Sequence, residues 1–234
     1  MINKFIFDVD GTLTPSRGII DINFKMFFNT FCLDNDVYLV TGSDKSKTVE
    51  QIGKGTYNLC KRVYNCSGCD VYEGDQNIRT SDWTLPALAR TFLISCEYES
   101  KFTIRTGNHI EERPGMVNFS VVGRNATTEE RAKYVAYDTY EDERTTIAKA
   151  FNIMFPELEA RPGGETGIDI APKGCDKSQI LVDFNRSDSI VFFGDRMDTD
   201  GNDYPLKLAN YKGANHHVKG WQHTWEVLRE YNKN

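Results

Sequence analysis

Short apolar runs that break off at an acid or a hydroxyl mark the chain in three places. Residues 4–7 end at Asp8, residues 37–40 end in Thr41-Gly42-Ser43-Asp44, and residues 189–193 end in Gly194-Asp195. Runs this short, unbroken rather than alternating, predict strands buried on both faces. After the first of them, Ile22, Met26, Phe27 and Phe31 recur at helical spacing and predict a helix over 22–31. Ser43 or Asp44 is placed to cap another. Strand, helix, strand alternation of this kind predicts an α/β fold with a parallel sheet covered by helices, whose ligand sits beyond the carboxyl ends of the strands. Asp8, Ser43 and Asp195 each stand at such an end.

The middle of the chain follows a different pattern. Residues 102–105 and 116–122 read as strands, the second alternating apolar and polar over part of its length. Thr127-Thr128-Glu129-Glu130 fits a capping box, with one long polar helix expected over 128–152. Pro156 and the turn Pro162-Gly163-Gly164 are expected to close it. Residues 81–172 therefore read as an α+β insertion, a cap, with 1–80 and 173–234 forming the α/β domain around it. Residues 221–231 predict a closing amphipathic helix.

Composition narrows the function. With 234 residues, 39% hydrophobic and 26% charged, the chain reads as soluble and globular, one large domain or two small ones. A net charge of −6 opposes nucleic-acid binding, which needs a basic footprint. No apolar stretch nears the roughly 20 residues that cross a membrane, and the start lacks a signal-peptide core, so a cytoplasmic protein without a membrane partner is expected. Of Cys32, Cys60, Cys66, Cys69, Cys96 and Cys175, only Cys66 and Cys69 make a C-x-x-C, with no second pair at zinc spacing. Reduced thiols are the expectation, with a metal or redox role for 60–69 as the alternative. His109, His216, His217 and His223 lack a metal-site pattern and read as surface or interface residues.

The strongest chemical signal is Asp8-Val9-Asp10-Gly11-Thr12-Leu13-Thr14, directly after an apolar strand. Gly11 allows a tight turn that brings backbone amides near a ligand. Asp8 can attack phosphorus to give an aspartyl-phosphate. Asp10 can protonate the leaving oxygen and later accept a proton from the next nucleophile. The segment resembles the first motif of the haloacid-dehalogenase (HAD) superfamily. Ser43 resembles its second motif, Lys177 in Lys173-Gly174-Cys175-Asp176-Lys177 its third, and Gly194-Asp195 with Gly201-Asn202-Asp203 its fourth. Asp8, Asp10, Asp195 and Asp203 would gather up to four negative charges, which need cations. Mg²⁺ suits carboxylate oxygens with water and phosphate, and Lys177 adds a positive charge. The resemblance implies side-chain metal ligation by Asp8 and Asp195, ligation through the Asp10 carbonyl, Asp203 as ligand or supporting acceptor, and Asn202 beside it.

Glu112-Arg113-Pro114-Gly115-Met116-Val117-Asn118, Val122-Gly123-Arg124, Glu129-Glu130-Arg131, Arg17 and Gly201-Asn202-Asp203-Tyr204 resemble eukaryotic-type phosphomannomutases. That resemblance implies a Rossmann-like HAD core with an inserted α+β cap. It also implies interconversion of mannose 6-phosphate and mannose 1-phosphate for GDP-mannose supply, with hexose 1,6-bisphosphate as activator, and a homodimer through the cap. Arg113, Arg124 and Arg131 would hold the sugar's second phosphate, since guanidinium groups fork onto phosphate oxygens. Arg17, Met116, Asn118, Asp169, Gly167 and Asn202 match further substrate positions. Gly167 stands where the family usually has Ser, and residues 197–200 depart from the family's pattern. A sugar-phosphate phosphatase with the same core is the alternative. A binding protein that merely kept the fold is opposed by the complete set of Asp8, Asp10, Ser43, Lys177, Asp195 and Asp203.

Overall fold

The computed structural model describes residues 3–16, 18–199 and 201–231. Arg17, expected at the substrate, lies outside the described residues. In chain order the elements are β1 (Asn3–Phe7), α1 (Ile22–Asp34), β2 (Asp36–Val40), α2 (Lys45–Ile52), α3 (Lys54–Leu59), β3 (Arg62–Asn65), β4 (Asp70–Glu73) and β5 (Gln76–Thr80). Then come α4 (Ala87–Glu99), β6 (Ile110–Arg113), β7 (Met116–Phe119), α5 (Thr128–Glu141), α6 (Glu143–Met154), β8 (Leu158–Gly163) and β9 (Gly167–Pro172). A short 3₁₀ turn (Lys177–Asp183), β10 (Ser189–Gly194), α7 (Tyr204–Ala209), β11 (Ala214–His217) and α8 (Trp221–Tyr231) complete the chain. The residues divide into two compact units, 1–81 with 174–234, and 82–173. Each boundary falls one residue beyond the expected one.

The first unit is built on a seven-stranded sheet of order β11-β10-β1-β2-β3-β4-β5. β11 to β3 run parallel, whereas β4 and β5 add an antiparallel edge that the sequence pattern did not announce. Both faces of the central strands are buried, which explains the unbroken apolar runs. Phe5, Phe7, Val37, Leu39 and Phe193 pack with Phe24, Phe28 and Phe31 of α1 and Leu228 of α8. Ile6, Val40, Ile190 and Phe192 point the other way, toward Ile180 and Leu206. Each such side chain contributes about 1.5–3 kcal/mol by leaving water. His216 belongs to this packing rather than to the surface: its ring stacks on Phe193 at 4.6 Å and its Nε2 lies 2.9 Å from the Tyr231 hydroxyl.

The second unit carries a four-stranded antiparallel sheet, β6-β7-β9-β8. Val117, Phe119, Ile168, Ile170, Leu158 and Ala160 on one face pack with Leu93 of α4, Tyr134 of α5 and Phe151 of α6. The expected single helix over 128–152 is two. Asp142 adopts the left-handed conformation at φ 52° and ψ 38°, ending α5 and starting α6. Asp138 fixes the break: its Oδ1 accepts the Arg144 amide at 2.8 Å and its Oδ2 accepts Arg144 Nε at 2.7 Å. The capping box forms as expected, Thr127 and Glu130 exchanging hydrogen bonds.

Residues 102–105 are not a strand. Phe102 is an apolar anchor packed edge-on against Tyr134. The guanidinium of Arg105 takes the carbonyls of Glu97, Phe102, Ile104 and Ser100, doing for this segment what a strand partner would do. β7 stops at Phe119 rather than 122, and Pro162-Gly163 lie inside β8, the turn falling after them.

Candidate active site

The carboxyl ends of three adjacent parallel strands lie side by side: β1 and β10 lead into the acids Asp8 and Asp195, and β2 leads to Ser43. The Asp8 amide still donates to the Phe193 carbonyl at 2.9 Å, so Asp8 extends β1 by one rung. Beyond it the chain turns sharply, with the Leu13 and Thr14 amides both donating to the Val9 carbonyl. Gly11 sits at φ +83°, and a Cβ there would stand 2.3 Å from Asp195 Oδ2. A Cβ on Gly194 would stand 2.5 Å from Asp203 Oδ2. Both glycines thus make room for acidic side chains, and Gly11 also permits the turn.

Lys177 ties the cluster together. Its Nζ donates to Asp8 Oδ1 at 2.6 Å and to Asp203 Oδ1 at 2.7 Å. The three side chains are buried, with Lys177 1%, Asp8 3% and Asp203 0% exposed. Asp203 also clamps its own loop: its amide donates to the Arg196 carbonyl at 3.1 Å and its Oδ2 accepts the Arg196 amide at 3.0 Å. Asp8, Asp195 and Asp203 each offer a carboxylate oxygen, and these oxygens lie within 4.8 Å of one another.

One ammonium therefore faces three carboxylates. Burial pushes the Asp8 carboxyl up to about 8; Lys177 opposes the rise, and Asp203 and Asp195 add to it. Burial and Asp203 raise Asp195 as well. For Lys177, burial favours the neutral form, but Asp203 and Asp8 outweigh it and hold the ammonium well above its ordinary value. Lysine thus stays charged, and the surplus negative charge is relieved by a retained proton or by a bound cation. A hard divalent cation such as Mg²⁺ fits this all-oxygen set and its charge.

The carboxylate of Asp10 accepts a hydrogen bond from Gln51, whose Nε2 donates to Asp10 Oδ1 at 3.0 Å. Gln51 is buried, and its amide also reaches Thr14 Oγ1 at 3.4 Å. Ser43 follows β2, its amide donating to Thr41 Oγ1 at 3.1 Å; its hydroxyl has no hydrogen-bond partner among the described residues. Asp44, rather than Ser43, caps α2. Asn202 is exposed beside the buried Asp203. All six cysteines are free thiols, and among the described residues no group of three His, Cys, Asp or Glu other than Asp8, Asp195 and Asp203 is arranged for a metal.

In the second unit, register places several expected substrate residues on one face of the sheet. Glu111 pairs with Asn118, Asn118 with Asp169, and Arg113 with Met116. Since alternate residues share a face, these five point away from the apolar core. Asn118 Nδ2 donates to Asp169 Oδ1 at 2.6 Å. A Cβ on Gly167 would stand 2.5 Å from the Asn118 amide nitrogen, so Asn118 fills the space that a side chain at 167 would need. Arg113 and Arg124 come together on Glu111. Arg131 forms a separate ion pair with Glu165 at 3.2 Å. The N-terminus of α5 is partly satisfied from within, since the Glu130 carboxylate takes the Thr127 amide at 2.7 Å.

Gln51 and Glu111 were not singled out from sequence. Alternation of Glu111 with Arg113 on one strand was the available signal for the second; for Gln51 there was none, because its partner lies 41 residues away.

The fold of the chain is shared with solved structures of low sequence identity. An IMP-bound, N-terminally truncated Plasmodium falciparum IMP-nucleotidase superposes with a TM-score of 0.67 at 13% identity, covering 100% of this chain and 68% of that one. A haloacid dehalogenase-like hydrolase from Bacteroides thetaiotaomicron gives 0.65 at 11% identity, covering 99% and 100%. Sequence relatives go further. The phosphomannomutase of Saccharomyces cerevisiae is 30% identical over 236 residues, 96% of this chain and 92% of that protein. Phosphomannomutase 1 of Mus musculus is 32% identical over 238 residues, 96% of this chain and 90% of that protein. The family described as eukaryotic phosphomannomutase matches residues 25–233. With that match across both units, the chain belongs to the eukaryotic phosphomannomutase family.

Proposed function

We propose that the chain interconverts mannose 6-phosphate and mannose 1-phosphate by way of a phosphoryl group carried on Asp8. Membership of the family makes it a mutase. The observation that supports the covalent route is the buried Lys177 ammonium, 2.6 Å from Asp8 and 2.7 Å from Asp203. An Asp8 oxygen attacks phosphorus, an O–P bond forms, and the O–P bond to the leaving oxygen breaks. Asp10 gives that oxygen a proton, then takes one back from the hydroxyl that next attacks the aspartyl-phosphate. Lys177 offsets charge on Asp8 and on the phosphoryl group throughout. Ser43, with its hydroxyl unengaged, donates to a phosphoryl oxygen. Asp8, Asp195, Asp203 and the Asp10 carbonyl would hold Mg²⁺, which supplies further charge neutralisation. Arg113 and Arg124, with Arg131, take the sugar's other phosphate, and Asp169, Asn118 and Met116 meet the sugar.

The same proposal takes hexose 1,6-bisphosphate as the activator that primes Asp8. From the family resemblance it extends to a homodimer through residues 82–173, a cytoplasmic location and GDP-mannose supply. Among the described residues, no helix is long and apolar enough to cross a membrane.

The test is a coupled assay on mannose 1-phosphate, with and without glucose 1,6-bisphosphate, counting released phosphate alongside isomerisation. Isomerisation that needs the bisphosphate and vanishes in Asp8→Asn is expected. Full turnover in Asp8→Asn, or phosphate release in place of isomerisation, would sink the proposal.

A further inference from the structure

We propose that Glu111 is a positioning residue that aligns Arg113 and Arg124 as one anion receptor. This rests on the reading above, that these arginines take a phosphate of the substrate. Glu111 divides its carboxylate between them. Oε1 accepts Arg113 Nε at 3.0 Å and lies 3.0 Å from Arg113 Nη2, while Oε2 accepts Arg124 Nε at 2.5 Å. A guanidinium carries five N–H groups around a rigid plane, and both are gripped at the Nε edge. The outer edges remain: neither Nη of Arg124 has a hydrogen-bond partner among the described residues. The carboxylate therefore orients two forks from behind without covering the edges that meet an oxyanion.

Three further observations point the same way. Glu111 lies on the polar face of the sheet, in one row with Asn118 and Asp169, so the receptor and the sugar-facing residues share one rigid surface. Arg124 has no strand to hold it, since it follows β7 in the loop before α5. Without Glu111 its long side chain would spend its rotamer freedom in water. The charge is balanced for an anion as well: two guanidinium groups and one carboxylate leave a net positive receptor. Burial alone would raise the Glu111 carboxyl, but Arg113 and Arg124 hold it below the usual range, so the clamp stays charged across neutral pH. An isolated surface ion pair usually contributes little; a carboxylate shared by two arginines beside a binding face has a different task.

The experiment compares Glu111→Ala and Glu111→Gln with Arg124→Ala in the full chain. KM and kcat for mannose 1-phosphate are measured, and acetyl phosphate, a donor with no second phosphate, reports transfer to Asp8 alone. Expected for Glu111→Ala is a KM raised about 10-fold, as in Arg124→Ala, with kcat and the acetyl phosphate rate changed less than about twofold. Glu111→Gln should fall between, because its amide keeps one acceptor but turns N–H groups toward the other guanidinium. If Arg124→Ala raises KM and both Glu111 variants leave it within about twofold, the positioning role is overturned. Equal losses with both donors would overturn it too, by revealing a general defect. If Arg124→Ala and Arg113→Ala also leave KM unchanged, the anion site itself is misread.

Discussion

Replacing Lys177 by Met removes the cation buried among Asp8, Asp195 and Asp203 while keeping much of the volume. Both ion pairs, at 2.6 Å and 2.7 Å, are lost together. Breaking a buried pair by deleting one partner costs about 3–5 kcal/mol, because the other charge stays stranded. At about 2–4 °C per kcal/mol for a domain of 150–250 residues, the melting temperature of the metal-free protein should fall by roughly 6–20 °C. The loss should depend on pH. Asp8 already has its folded pKa raised to about 8, and Lys177 opposes that rise, so the variant's carboxyl rises further. An acid raised on folding holds a proton that the unfolded chain has released, so stability declines as pH climbs from the unfolded value, about 4, toward the folded one. Protonation thus softens the substitution at about pH 6, and the penalty is larger at about pH 9, where less of that proton is retained. Circular dichroism melts in chelator at both pH values supply the measurement. Mutase turnover should drop by about 10²–10³ as the charge facing the phosphoryl group is lost. A melting shift equivalent to less than about 1 kcal/mol, equal at both pH values and with turnover retained, would refute the electrostatic reasoning.

Other outcomes follow from the same geometry. Mg²⁺ should raise the melting temperature more at about pH 9 than at about pH 6, since it must displace the proton that burial retains on Asp8; at about 100 times its Kd the gain approaches about 2.7 kcal/mol. An equal gain at both pH values would count against the acid cluster as its seat. Gly194→Ala places a Cβ 2.5 Å from Asp203 Oδ2, so turnover should fall by about 10²-fold with the fold intact by circular dichroism; unchanged turnover would show that Asp203 can move freely. Asp142→Gly relieves a left-handed residue at φ 52° and should leave stability equal or raise it by up to about 1 kcal/mol. A loss above that would mean the Asp142 side chain holds the break between α5 and α6.

Much of the catalytic unit was legible because its strands are buried on both faces and each ends at a chemical residue. Asp8, Ser43 and Asp195 stand at strand ends, and those strands are neighbours in the order β10-β1-β2. The capping box at Thr127 was legible because it is a local exchange between residues three apart. What stayed hidden depends on partners distant in sequence. The break at Asp142 is enforced by the Asp138–Arg144 clasp, which no helical periodicity records. Residues 102–105 look like a strand because Phe102 and Ile104 alternate with polar residues, yet Arg105 satisfies their carbonyls locally. β5 is exposed along its whole length and carries no apolar signal. Gln51 and Glu111 are ordinary polar residues until the fold sets Asp10 beside one and two arginines beside the other.

The central claim is that the Asp8 carboxylate itself carries the phosphoryl group. Brief mixing with glucose 1,6-bisphosphate and Mg²⁺, an acid quench, borohydride reduction and peptide mass mapping would test it directly. The account predicts an acid-stable, hydroxylamine-labile phosphoryl group on the peptide holding Asp8, with borohydride converting that residue alone to homoserine. Turnover without any phosphorylated protein, or with the phosphate on another residue, would contradict it.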